Sequence, residues 1–229
     1  TSISSANLGC GFHGGDPHVM RRSVRLAQEH GVAIGAHPGF PDLLGFGRRN
    51  LAATPTQIKD YIQYQVGALQ AFARVAGLTL QHVKTHGALY MMALEDEALS
   101  AAVVEAVAEL DERLLLYTLP GSATDHVARR KGLRVVREFF ADRPMSVSGW
   151  IMFGYHLADI GGAPEAIAQR ALRAIRDGVV RTVEGQELPF QADTICVHSD
   201  TPGGPTLMRA VRGALEQAGI TVQAAGSFL

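Results

Sequence analysis

The stretch GVAIGAHPGFPD, residues 31–42, decides how the chain is read. Its apolar run has the length of a strand, ends on His37 and is broken at once by Pro38 and Gly39. A buried strand that stops this way delivers a polar side chain to the rim of a sheet. Working outward, runs of similar length and character lie at 2–8, 80–85, 114–118, 135–140, 194–198 and, more weakly, 220–223. Helical periodicity fills the gaps, over 17–30, 55–76, 96–110, 122–131, 164–177 and 205–218. Pro17, Pro55, Pro164 and Pro205 stand at the start of four of these, where a missing N–H is tolerated. Strands alternating with helices predict an α/β fold of parallel strands with crossover helices.

Length and composition set the bounds. The chain has 229 residues, 47% of them hydrophobic, enough for a full core. No Pro/Ser-rich linker or change of composition divides it, so one domain spanning 1–229 is expected. A formal charge of -1 and few aromatic residues argue against nucleic acid as a partner. No run reaches transmembrane length, so no membrane is expected either. Cys10 and Cys196 are the two cysteines, which suits a reducing, cytoplasmic setting better than a disulfide scaffold. The sequence starts without Met inside a patterned stretch, which leaves room for a missing amino-terminal strand.

Other runs end as the first does. They empty into ANLGCGFHGGDP, KTHGALY, ADR and HSDTPGG. In parallel α/β folds the carboxyl ends of the strands form the ligand site, so His37 is expected to be one wall of a shared mouth. GCGFHG, residues 9–14, has the form of a dinucleotide fingerprint, but that fingerprint wants an acidic residue closing the second strand, where this chain has His37. The glycines are better read as a tight turn with close backbone approach, His13 and Asp16 pointing into the mouth.

The ionisable residues allow several roles. His13, His37, His86 and His198, with Asp16, Asp142 and Asp200, are types that bind divalent metals, and equally types that bond to substrate or move protons. Lys84 suits charge pairing or anion binding, and Arg48, Arg49 and Arg143 suit a carboxylate or phosphate. Cys10 in the glycine-rich turn could be a nucleophile, but a buried free cysteine is the commoner case. His82 opens its strand away from the mouth and reads as structural. His18, His30, His126 and His156 read as solvated. Residues 144–163 have no clean period and are expected to form a lid or binding loop.

ANLGCGFHGGDPHVM, GVAIGAHPGFPDLLGFGRRN, LQHVKTHGALY, FADR and LPFQADTICVHSDTPGG together resemble the LamB/YcsF family, in order over nearly the whole chain. The resemblance implies a (β/α) barrel-like fold of seven parallel strands, akin to the glycoside hydrolase/deacetylase group. It implies ATP-dependent hydrolysis of a cyclic amide, opening 5-oxoproline to L-glutamate, with Mg2+ accompanying ATP and with partner subunits B and C. The site residues would be Asp142, Asp200, His13, His37, His86, His198 and Lys84 for catalysis, and Asn7, Asp16, Arg48 and Arg143 for substrate or ATP. A divalent metal on His13, His37 and His86 is the alternative use of the histidines. A metal-dependent deacetylase and a regulatory subunit that binds a metabolite are the rival functions, and a homo-oligomer is compatible with all three. The sequence departs from the family pattern at Thr85, where Pro is expected, and at Gly154, where Arg is expected.

Overall fold

A computed structural model describes residues 2–152 and 156–229; Gly154 falls outside the described residues. The chain groups into two compact units, one holding residues 4–136 and 226–229, the other residues 2–3 and the described part of 137–225.

The first unit runs β1 (Ser5–Gly9), α1 (Pro17–His30), β2 (Ala33–His37), α2 (Pro55–Val75), β3 (Leu80–Val83), α3 (Gly87–Ala93), α4 (Glu97–Leu110), β4 (Leu115–Thr118), α5 (Ala123–Lys131) and the start of β5 (Val135–Phe140). β1, β2, β3 and β4 pair in parallel in chain order. The Leu116 N–H donates to the Arg134 carbonyl at 2.9 Å, beside the first residues of β5. Each crossover helix is set by local chemistry. Asp16 caps α1 by accepting from the His18 and Val19 N–H groups, and Gly31 ends it in the left-handed conformation at φ 62°. Thr54 and Gln57 form a reciprocal capping box on α2. The apolar stripe of α2, Ile58, Ile62, Val66 and Leu69, is fully buried with Ile34, Val83 and Leu89 in one core.

Gly35 is the tightest point of this sheet. It pairs with Asn7 on one side and His82 on the other. A Cβ at Gly35 would lie 2.0 Å from His82 Nε2, so the bare Cα is what lets the imidazole lie across β2. His82 Nε2–H donates to Asn7 Oδ1 at 2.7 Å, Gln81 Nε2 is 3.2 Å from its Nδ1, and its ring stacks on Tyr117 at 4.0 Å. The structural reading of His82 holds. Asn7, expected to bind substrate or ATP, has its Oδ1 occupied inside the sheet instead, because only a glycine separates it from His82.

The second unit holds the rest of β5, then α6 (Pro164–Arg176), the antiparallel pair β6 (Val179–Arg181) and β7 (Glu187–Pro189), β8 (Thr194–Cys196) and α7 (Gly204–Gln217). β8 lies parallel to β5, pairing Glu138 with Thr194 and Phe140 with Cys196. Helices α6 and α7 pack on each other, and a proline opens α1, α2, α6 and α7, as the sequence indicates.

Among the described residues the parallel sheet has six strands, in the order β1-β2-β3-β4-β5-β8, where seven were expected. Residues 220–223 form no strand. Ile220, Thr221, Val222 and Gln223 alternate apolar and polar, and none is buried, whereas a parallel strand buries both faces. Of the irregular stretch, Met145 and Ile151 make an isolated antiparallel bridge and Leu157–Ile160 one 3-10 turn.

Replacing Gly35 by Ala is expected to lower stability by about 1–3 kcal/mol or to prevent folding, because the methyl meets an imidazole held on both edges. Gly67→Ala and Gly213→Ala, in α2 and α7 with nothing within 4 Å of an added Cβ, are expected to gain about 0.5–1 kcal/mol. Urea denaturation of the three variants checks both signs.

Candidate functional site

In the first unit the carboxyl ends of β1, β2 and β3 carry His13, His37, Lys84 and His86. The glycine-rich turn after β1 folds on itself: Gly11 N–H donates to Gly14 C=O at 2.8 Å, and a Cβ at Gly15 would lie 2.1 Å from Gly9 O. The close approach expected here is therefore of chain to chain, and it swings His13 back over the strand ends. Cys10 in that turn is buried, its Sγ 3.1 Å from Leu8 O, and burial pushes the thiol up to about 12, so it is no thiolate nucleophile. Cys196 is likewise buried. Asp16, expected to point into the mouth, is exposed and caps α1.

Three histidine rings meet. His13 and His86 stack face to face, centroids 3.8 Å apart and planes 1° from parallel. His37 stands edge-on to both, at 5.8 Å and 4.8 Å. His37 Nδ1 is 2.6 Å from Lys84 O, His37 Nε2 is 3.0 Å from His86 Nδ1, and His86 Nε2 is 2.7 Å from Phe46 O. Both ends of this chain are carbonyls, which only accept, so three bridges require three hydrogens on four nitrogens. A neutral pair supplies two; the pair completes every bridge when it holds one more. Burial holds His37 well below its ordinary range and His86 at about 3, the latter also through neighbouring His13. Burial and the Arg48 charge hold His13 at about 4. Among the described residues no group of three His, Cys, Asp or Glu is placed to hold a metal.

The loop after β2 brings Phe46 to this cluster. Phe46 has φ 53°, uncommon for a residue with a side chain, and its ring meets His13 and His86 edge-on. Its carbonyl was not legible as a partner of His86, since nothing in the sequence marks a backbone oxygen 40 residues away. Arg48 is exposed and lies over the Phe46 ring at 5.2 Å. Arg49 is tied to buried Asp42, whose carboxyl that guanidinium holds at about 2. Of the two, Arg49 therefore has a structural occupation. Lys84 is buried, with Nζ 5.8 Å from the Tyr90 ring.

The second unit carries its own cluster at the ends of β5 and β8. Asp142 is fully buried; its Oδ1 takes the His198 Nδ1–H at 3.0 Å, and its Oδ2 accepts from the His198 N–H at 3.0 Å, Arg143 Nη1 at 2.9 Å and the Thr201 hydroxyl. Burial alone would raise this carboxyl, but the bonds to His198, Arg143 and Thr201 together bring it to about 2. Asp142, expected among the catalytic residues, thus has both carboxylate oxygens engaged by donors. What it does is fix the imidazole: with Nδ1–H committed to the carboxylate, neutral His198 carries its basic lone pair on Nε2. Arg143, expected to bind substrate or ATP, is buried and donates to Asp142 and to Thr201 Oγ1 at 2.8 Å, supporting the carboxylate. Thr201 was missed, since one threonine beside Asp200 carries no signal of its own. Asp200 is exposed, its Oδ1 3.9 Å from Arg143 Nη2. His18, His30, His126 and His156 are exposed, as expected.

The LamB/YcsF family model matches residues 1–229. The chain is a member of the LamB/YcsF family. Among its LamB/YcsF relatives, a Pseudomonas aeruginosa protein named as an A-type subunit of 5-oxoprolinase is 52% identical over 97% of this chain and 87% of its own length. A Pyrococcus furiosus protein named in the same way is 44% identical, over 99% and 89%. The crystal structure of a lactam utilization protein from Thermus thermophilus superposes with a TM-score of 0.89 at 48% identity, over 97% of this chain and 89% of that one. The fold class is accordingly (β/α) barrel-like. No described helix is long and apolar enough to cross a membrane.

Four histidines of this LamB/YcsF chain sit below their ordinary pKa, so the unfolded chain binds protons that the folded one refuses. Stability is expected to be complete above pH 6.5 and to fall as pH drops toward 4, each buried histidine contributing up to about 1.4 kcal/mol per pH unit. Urea midpoints measured from pH 7.5 to 4.5 check this; a flat profile would contradict the buried neutral histidines.

Proposed function

We propose that the chain is one component of an ATP-dependent 5-oxoprolinase, opening the lactam ring of 5-oxoproline to L-glutamate in company with further subunits of the B and C type. The observation that carries this reading is the set of relatives named as A-type subunits of 5-oxoprolinase, 44–52% identical over nearly the whole chain. The lactam utilization protein of the same fold supports it.

The chemistry sets what the residues must do. A lactam carbon is a poor electrophile, and moving a phosphoryl group from ATP to its oxygen makes that carbon open to water. The attacking water loses a proton as it adds. The ring nitrogen gains one as the C–N bond breaks, leaving an acyl phosphate that a second water hydrolyses. In this reading His198 Nε2 receives the proton of the attacking water, Asp142 orients the ring and stabilises the imidazolium, and Thr201 and Arg143 hold Asp142 ionised. Arg48 and Lys84 are the candidate cations for phosphoryl or carboxylate oxygens, with Mg2+ accompanying ATP. Asp200, the exposed carboxylate, is the candidate for the final proton transfers.

The test is glutamate release from 5-oxoproline, with and without ATP, by this chain alone and after mixing with its partner subunits. Release that needs both ATP and the partners is expected; none from a verified assembly would overturn the reading. His198→Ala is expected to lower kcat by about 10²–10⁴, Asp142→Asn by a comparable factor through loss of the correct tautomer, and exposed His126→Ala to leave it near wild type.

A further inference from the structure

The protonation of His13 can be worked out from its surroundings. The residue is 4% exposed, and Nδ1 is buried with no hydrogen-bond partner. A Cβ at Gly39 would lie 2.9 Å from that nitrogen, so backbone covers it where an acceptor would have to stand. Nε2 is not among the buried unpartnered atoms and has no bond to any described residue, which places it at the accessible edge of the ring. Neutral imidazole has one hydrogen to place. On Nδ1 it would be an N–H sealed away from any acceptor, at a cost of about 1–3 kcal/mol; on Nε2 it reaches solvent or a ligand, and only a lone pair is buried.

The same geometry opposes a second proton. The charged form must bury the Nδ1–H that the neutral form avoids. His86 lies flat against the ring at 3.8 Å and His37 stands 5.8 Å away, and neither offers an acceptor to a second N–H on His13. The Arg48 charge acts in the same direction. The ring is packed against the face of His86 at 3.8 Å and against Phe46 at 5.6 Å.

We infer that His13 is fixed as the neutral Nε2–H tautomer and acts as a hydrogen-bond donor to the acyl oxygen of a bound lactam, not as an acid or base. The assignment of the acyl oxygen rests on the function proposed above; the tautomer does not. The lactam oxygen is the atom that takes the phosphoryl group in that reading, and an uncharged N–H fixed in direction holds it in line for the transfer without giving up a proton.

Two measurements test this. Nitrogen-15 NMR of the histidine rings in the full chain alone, with His13 assigned by comparison with His13→Gln, is expected to show the Nε2–H tautomer unchanged from pH 8 to 5.5. An Nδ1–H tautomer, or titration near 6.5, would overturn the assignment. In the active assembly, His13→Ala is expected to lower kcat by about 10²-fold. His13→Gln, whose amide nitrogen reaches the place of Nε2, is expected to recover to within about tenfold of wild type and to keep the wild-type pH profile. A Gln variant as inactive as the Ala variant would show that His13 exchanges protons and would defeat the proposal. Should the wild-type assembly release no glutamate, the 5-oxoprolinase reading and the acyl-oxygen role fail together, and the NMR result still decides the tautomer.

Discussion

One hydrogen bond, from His82 to Asn7 across the bare Cα of Gly35, is the constraint that organises the first unit. It spans three adjacent strands and fixes their register at a place where a one-residue slip would exchange the faces of every side chain. Because β1, β2 and β3 are held in that register, His37 at the end of β2 stands opposite Gly9 at the end of β1, and Lys84 and His86 follow β3 directly. The histidine cluster is a consequence of sheet geometry before it is anything chemical.

The two clusters solve the same electrostatic difficulty in different ways. Asp142 is a buried charge and is made tolerable by saturation: every oxygen has donors, one of them a guanidinium. The three histidines are buried and are made tolerable by neutrality, with carbonyls of Lys84 and Phe46 closing the ends of their chain. His198 differs from both, since its ring is only partly buried and its Nδ1 is held by Asp142.

Much of this was open to reading along the chain. Helix α1 was legible to its boundaries because Asp16, Pro17 and Gly31 are local signals, and β5 because VVREFF is an unbroken buried run. Helix α3 was not, because GALYMMA follows His86 without a cap and its start depends on the turn that leaves β3. The false strand at 220–223 had alternating residues but no neighbour on which to bury them. His13, His37, His86, Asp142 and His198 were expected beyond strand ends, and the structure places them there; Asn7, Asp16 and Arg143, expected to meet a ligand, are engaged with a sheet partner, a helix cap and a carboxylate.

The sequence by itself determined the alternation of strands and helices, the caps, and the gathering of ionisable residues at strand ends, since each rests on chemistry acting over a few neighbouring residues. Only the tertiary structure decided which residue does what. Whether a histidine donates, accepts or titrates depends on what lies within about 3 Å of each nitrogen, and those partners, Asn7 for His82, Phe46 for His86 and Asp142 for His198, come from 75, 40 and 56 residues away.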